Sequence, residues 1–530
     1  MSFADSLITD KMGKQVYKLM LELARIESVT GSAGGEEKCA RFIYDRLSLA
    51  PYFKEHADDL CLVPLKNDPF KRHAVAAFLR SKKRGVRKTV ILTGHFDVVD
   101  AQGCGPLATC AFDPEEYTRR AHELSLPDEA KRDLESGSYL FGRGVSDMKT
   151  GVALDICLIE DYAERREDLE FNVLLLLVPD EEGDSYGMRG SVSYLADLRA
   201  RENLDYLVAI DTEPSFEDGK IGIYYGTIGK IMPFCLCVGI ESHTGNYKSG
   251  LNSTLIASYL NLELEGKGDK PQCCLYMKDL RENYAVTLPE RTVVYYNRPT
   301  VSDTPELVLR DIASASEAAL AGALKQVGRH DLLKLPKKIV YAEDIIGRAS
   351  KLAGSREKLF AELLPKIESS DERERNIKFV SLALDLLGEK GPLVIVGFLP
   401  PYYPQRRNTS ESDAERGVRE AARCVRGKLK ELGFGLEEVE IFEGITDMSF
   451  TGFSESTEEL KTLAQNMPLW GHNFDLPISD LKKIDVPCAI FGPLGKDAHK
   501  ATERIDVNYS FNILPNVMKD FIASIQNSSR

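Results

Sequence analysis

The hydrophobic positions change rhythm along the chain. In the N-terminal part, short apolar runs stop abruptly. Thr89 to Thr93 (TVILT) stops at a glycine, Phe171 to Val178 at a proline, and Tyr206 to Ile210 (YLVAI) at an acid. Between the first two, Thr150 to Ala163 is apolar at helical spacing. Short continuous runs separated by helices predict a parallel sheet covered on both faces. A similar strand, Cys488 to Phe491 (CAIF), lies far downstream and precedes a helix over Leu514 to Ile525. The first 26 residues mix charged and apolar positions throughout, which predicts an amphipathic helix and not a secretion signal.

The middle follows another pattern. From about Gly229, KIMPFCLCVGIES alternates like a strand with one face solvated, and Leu255 to Leu264 reads as a helix. Arg291 to Asn297 is a second strand and Pro305 to Leu324 a second helix. This β-α-β-α order, set between parts of an α/β domain, predicts an inserted α+β domain over 228–329. The catalytic part is then discontinuous, 1–227 and 330–530, a three-layer α/β domain around a mixed, mostly parallel sheet. Asp331 to Glu389 is charged and helical without assignable chemistry, and Leu399 to Asp413 (LPPYYPQRRNTSESD) reads as a proline-rich loop.

At 530 residues the chain is too long for one core. Its net charge of -14 repels nucleic acid and anionic membranes, and neither is expected as a partner. The longest apolar run, Val173 to Val178, is far short of the roughly 20 residues of a membrane span. A cytoplasmic protein is expected. The eleven cysteines form no CxxC pair, which argues against a thiolate metal site and for a reducing compartment.

The chemistry gathers where the apolar runs end. GHFDVV carries His95 and Asp97, VPDEEGD carries Glu181 and Glu182, and AIDTEP carries Asp211 and Glu213. FGPLGKDAHKATE carries His499, and FGRGVSDMKTG places Asp147 just before a predicted helix. Ligands of open α/β sheets bind outside the carboxyl ends of the strands. Two zinc ions there would have their charge offset by Asp147, Glu182, Asp211 and a hydroxide, with His95 and His499 as neutral donors. Asp147 can bridge the ions, and Glu181 is left to move a proton. Asp97, two residues after His95 on the same face of extended chain, can hold the imidazole ring. Taken singly, each has a plainer reading. His95 would be a strand-end histidine, the glutamates a solvated loop, Asp147 a helix cap, and His499 a surface histidine. No HExxH appears, which removes a mononuclear protease of that type.

These pieces resemble the zinc aminoacylase and carboxypeptidase family of metallopeptidases, with acetylornithine deacetylase, succinyl-diaminopimelate desuccinylase and aminoacylase-1 among its members. GHFDVV (94–99), GRGVSDMKTG (142–151), PDEEGDSYGMRG (179–190), DTEP (211–214) and GPLGKDAHKATE (492–503) occur in the family's order. The length beyond 330 and VGFLPPYYP (396–404) look like its arginine-utilisation (RocB) subgroup. The resemblance implies a zinc-exopeptidase-like fold. It also implies two Zn²⁺, or cobalt or manganese, held by His95, Asp147, Glu182, an acid near 211 and His499. Asp211 is taken as that acid because it ends the strand; Glu213 is the alternative. Glu181 is implied as general base, Asp97 as the residue steadying His95, and Asp147-Met148 as a cis peptide. GIESHTGNYKSGLN (239–252) looks like the signature of a lid domain that often forms homodimers. From it the resemblance implies His243 as carbonyl-polarising donor and Asn252 as a substrate contact; Arg298 is a candidate for a substrate carboxylate. The implied activity is cleavage of a peptide or N-acyl amide bond of an amino-acid derivative. The rival is a non-catalytic amino-acid or metal-binding protein on the same scaffold.

Overall fold

Strand Asn172–Val178 is buried at every position, as its unbroken apolar run requires. Each such Leu or Val removed from water stabilises the fold by roughly 1.5–3 kcal/mol. The structure, a computed structural model, describes residues 7–528 apart from 33, 67, 216–219, 335, 337 and 473. The N-terminal amphipathic helix runs over Lys11–Ala24; the part of that expectation falling on residues 1–6 lies outside the described residues.

Contact within the chain divides it into two compact units, and the first comprises 1–227, 406–453 and 477–530. Its eight-stranded sheet has the order Leu60–Pro64, His73–Leu79, Asn172–Val178, Lys88–His95, Asp205–Asp211, Cys488–Ile490, Ile221–Tyr224, Leu436–Val439. The central pairings, Lys88–His95 with Asn172–Val178 and with Asp205–Asp211, are parallel, as is Cys488–Ile490 with Asp205–Asp211. The edge strand Leu60–Pro64 and its neighbour His73–Leu79 run antiparallel. The sheet is therefore mixed and mostly parallel, as expected. Helices Lys11–Ala24, Thr150–Glu164, Asp413–Glu431 and Leu514–Ser528 share one large core with it.

The second unit comprises 228–405 and 454–476. Its five strands are ordered Cys273–Asp279, Arg291–Thr300, Gly229–Val238, Leu393–Tyr403, Ile339–Tyr341. This unit starts at 228 and runs on past 329 to 405, where Leu393–Tyr403 pairs directly with Gly229–Val238. The strand Gly229–Val238 has no solvated face. Met232, Phe234, Leu236 and Val238 pack on helices Ala342–Ala353, Arg356–Leu363 and Glu372–Leu387. On the other face Cys235 meets Ser316 of helix Pro305–Gln326. The charged segment after 330 is thus a helical layer. Nor is the proline-rich stretch wholly a loop, since the strand continues through Pro400 and Pro401 to Tyr403. The prolines sit where the pairing jumps from Leu399↔Met232 to Tyr403↔Lys230, so no ladder donor is lost there.

Candidate metal centre

Strand register decides which side chains meet. His95 ends its strand level with Val178 of the neighbour. On the other side Thr93 pairs with Asp211, the last residue of strand Asp205–Asp211. Two residues further along, the level of His95 is the level of Glu213. Accordingly Glu213 Oε1 lies 3.2 Å from His95 Nε2. Of the two acids weighed, Glu213 is thus the one beside the imidazole, while Asp211 ends the strand one period short of it. Asp211 is buried and joins none of the His-carboxylate groups found among the described residues.

Asp147 sits in the turn Val145–Lys149 before helix Thr150–Glu164, and its bond to Met148 is cis. Its two oxygens face different partners. Oδ1 lies 3.0 Å from His95 Nε2, and Oδ2 lies 3.0 Å from His499 Nε2. His499 Nε2 is also 2.8 Å from Glu182 Oε1. His95, Asp147 and Glu213 form one group with donor atoms within 4.8 Å of one another; Asp147, Glu182 and His499 form another. His95 is 1% exposed and His499 is 49% exposed.

Asp97 joins the two strand ends. His95 Nδ1 lies 3.1 Å from the Asp97 carbonyl oxygen and 3.5 Å from Oδ1. The carboxylate accepts from the N–H groups of Glu181 (3.1 Å) and Glu182 (3.2 Å) and from Thr30 Oγ1 (2.8 Å). It orients the turn carrying the two glutamates as well as the imidazole. Asp180 supports that turn at φ 69°, its side chain accepting from the Asp184 and Tyr186 N–H groups. Buried Arg72 holds Asp180, Glu36 and Asp68 together. Glu181 is nearly buried, with Oε2 4.0 Å from His95 Nε2.

The electrostatics are those of crowded carboxylates short of positive charge. Burial, with the charges of Glu182 and Asp447 beside it, pushes Glu181 well above the carboxylate range. Burial and Asp147 raise Glu213 to about 7. Burial also opposes charge on His95, but Glu213, Asp147 and Asp97 outweigh it and hold its proton tightly. Hydrogen bonds to Asp147 and Glu182 raise His499 to about 10. Two imidazoles and several carboxylates converging at hydrogen-bond distance are the donor set of a divalent-cation site. A cation would take over the role those retained protons now fill. The residues present fit the group.

Sequence reasoning missed some of this site. Asp447, from the short helix Asp447–Phe450, is 4% exposed and pushed up to about 7 by burial. No apolar run marks ITDMSF as a site segment. The candidates in the second unit have structural partners of their own. His243 is exposed, and its Nδ1 accepts from the Gly245 N–H at 3.0 Å. Asn252 caps helix Ser253–Leu264 through Thr254 N. The Arg298 guanidinium is buried against Asp303 and Asp311. Among the described residues, no helix is long and apolar enough to cross a membrane.

Known proteins resemble this chain over most of its length. The family model "Peptidase family M20/M25/M40" matches residues 91–524. Uncharacterized protein YqjN of Bacillus subtilis (strain 168) is 31% identical across 97% of this chain and 97% of its own length. Protein RocB of the same strain is 28% identical across 98% and 96%. The solved M20 family metallo-carboxypeptidase Sso-CP2 from Sulfolobus solfataricus shares the fold. Its TM-score is 0.55 at 11% identity, covering 98% of this chain and 100% of that one. The chain belongs to peptidase family M20/M25/M40 and is a metal-dependent hydrolase of peptide or amide bonds.

Proposed function

We propose that this hydrolase is a co-catalytic dizinc enzyme cleaving a peptide or N-acyl amide bond of an amino-acid derivative or small peptide. One observation carries the reading. The two oxygens of Asp147 face two separate histidine–carboxylate groups, each 3.0 Å from its imidazole nitrogen. Asp147 would bridge, His95 and Glu213 would complete one position, and Glu182 and His499 the other. When bound, the ions acidify a water and polarise the scissile carbonyl.

The chain's own residues do the rest. Asp97 fixes the imidazole of His95 and the backbone of both glutamates, so the donors are set before substrate arrives. Glu181 takes one proton from the attacking water as the new C–O bond forms. It returns that proton to the amine nitrogen as the C–N bond breaks. Its burial favours holding a proton between the two steps.

The test is Glu181→Gln on the zinc-loaded chain, assayed with N-acyl amino acids and dipeptides. The variant should keep its zinc and lose roughly 10²–10⁴-fold in kcat. Full activity in the variant rejects the assigned base. Failure of the loaded wild type to hydrolyse any member of the panel rejects the substrate class.

A further inference from the structure

A buried ion pair that the reaction does not use joins two distant parts of the site. Arg143 and Glu503 are 2% and 1% exposed and stand 360 positions apart. Arg143 Nη1 donates to Glu503 Oε2 at 2.5 Å. Glu503 Oε1 accepts from the backbone N–H of Ser146 at 3.2 Å and of Asp147 at 3.3 Å. Arg143 Nη2 donates to the carbonyl oxygen of His499 at 2.9 Å, and Nε to that of Asp100 at 3.2 Å. A chain of hydrogen bonds thus runs from the backbone of Asp147, through both charged side chains, to the backbone of His499.

Burying two charges consumes most of what their attraction returns, so such a pair is a poor source of stability. What it supplies here is spacing. His499 lies in a turn at φ 68°, a conformation that a non-glycine residue keeps only when its surroundings impose it. Its side chain is half exposed, so core packing does not fix it. By contrast, His95 ends a parallel strand and Glu213 follows two residues after the end of its neighbour, so strand register brings the two level.

We propose that Arg143 and Glu503 are positioning residues for the cation position formed by Asp147, Glu182 and His499. They fix the distance from the shared carboxylate to the exposed imidazole, and so set the affinity of that position selectively. This rests on the two-ion reading above.

The experiment is a chelator titration of the zinc-loaded full chain, counting zinc released per chain. It compares the wild type with Glu503→Gln and with the double variant Arg143→Met/Glu503→Leu. The double variant removes both charges together, so neither is left buried alone, and circular dichroism checks that each protein is folded. The expected wild type releases two zinc ions. In each variant one ion should leave at about 10–100-fold lower chelator, the range for loss of a ligand's supporting contacts, while the other is unmoved. Release of both ions as in the wild type overturns the proposal. Equal weakening of both, or loss of fold in both variants, also overturns it, since the pair would then be a general structural element. A wild type holding a single ion sinks the two-ion reading itself, an outcome distinct from the others.

Discussion

The two halves of the metal centre are built on different kinds of backbone. The His95–Glu213 half stands at the ends of adjacent parallel strands, His95 as the last residue of one and Glu213 two residues past Asp211 of the other, with His95 1% exposed. The Glu182–His499 half stands on turns, with Asp180 and His499 at positive φ and His499 49% exposed. A strand ladder fixes its side chains through many backbone bonds at once. A turn relies on a few named contacts: here Asp97 beneath the glutamates and Arg143 behind His499. The first half should be rigid and tight, the second adjustable and easier to empty. Asp147 belongs to both.

That contrast can be broken most severely at the shared residue. Asp147→Asn removes the charge that faces both imidazoles, so both positions should weaken together. Activity should fall by at least the roughly 10²–10⁴-fold attributed to the general base. Zinc content and kcat measured on one preparation check this. A variant that loses one ion and keeps the other would show that Asp147 does not bridge.

A smaller effect concerns protons in the metal-free chain. Burial and Asp147 raise Glu213 to about 7, burial raises Asp447 to about 7, and hydrogen bonds to Asp147 and Glu182 raise His499 to about 10. All three bind protons more tightly folded than unfolded. Their stabilisation is complete below their unfolded pKa values and is lost as pH rises through the folded ones. Asp147, lowered by its hydrogen bonds from both histidines against the effect of burial, is ionised in both states above pH ~5 and adds no slope there. Metal-free protein should therefore melt at a lower temperature at pH 8 than at pH 5.5. Zinc would displace the protons on Glu213 and His499, so the stabilisation it confers should grow with pH. Melting curves with and without chelator at the two pH values check both signs. A metal-free melting temperature that rises with pH would contradict the crowded-carboxylate picture.

Much of the first unit was legible because its strands are buried on both faces. Such strands are continuous apolar runs, and the acids and histidines closing them stand out. The neighbours Leu60–Pro64, Ile221–Tyr224 and Leu436–Val439 are short, carry a proline, a glycine or acids, and give no comparable signal. Glu213 was set aside for Asp211 because a strand end can be read from one segment, whereas register is a property of two. The strand Leu393–Tyr403 was obscured by its prolines, and with it the true extent of the second unit. The Arg143–Glu503 pair was beyond reach for a similar reason: no local pattern couples residues 360 positions apart. Arg298 is a candidate from its motif alone, and its pairing with Asp303 and Asp311 is likewise not marked by any local pattern.

The most direct test is anomalous diffraction at the zinc edge from crystals of the loaded protein. Two peaks roughly 3.5–4 Å apart are predicted. Asp147 should lie between them, with Glu213 beside the His95 peak and Glu182 beside the His499 peak. A single peak, or two peaks with Asp147 on one alone or Asp211 in the place of Glu213, would contradict the account.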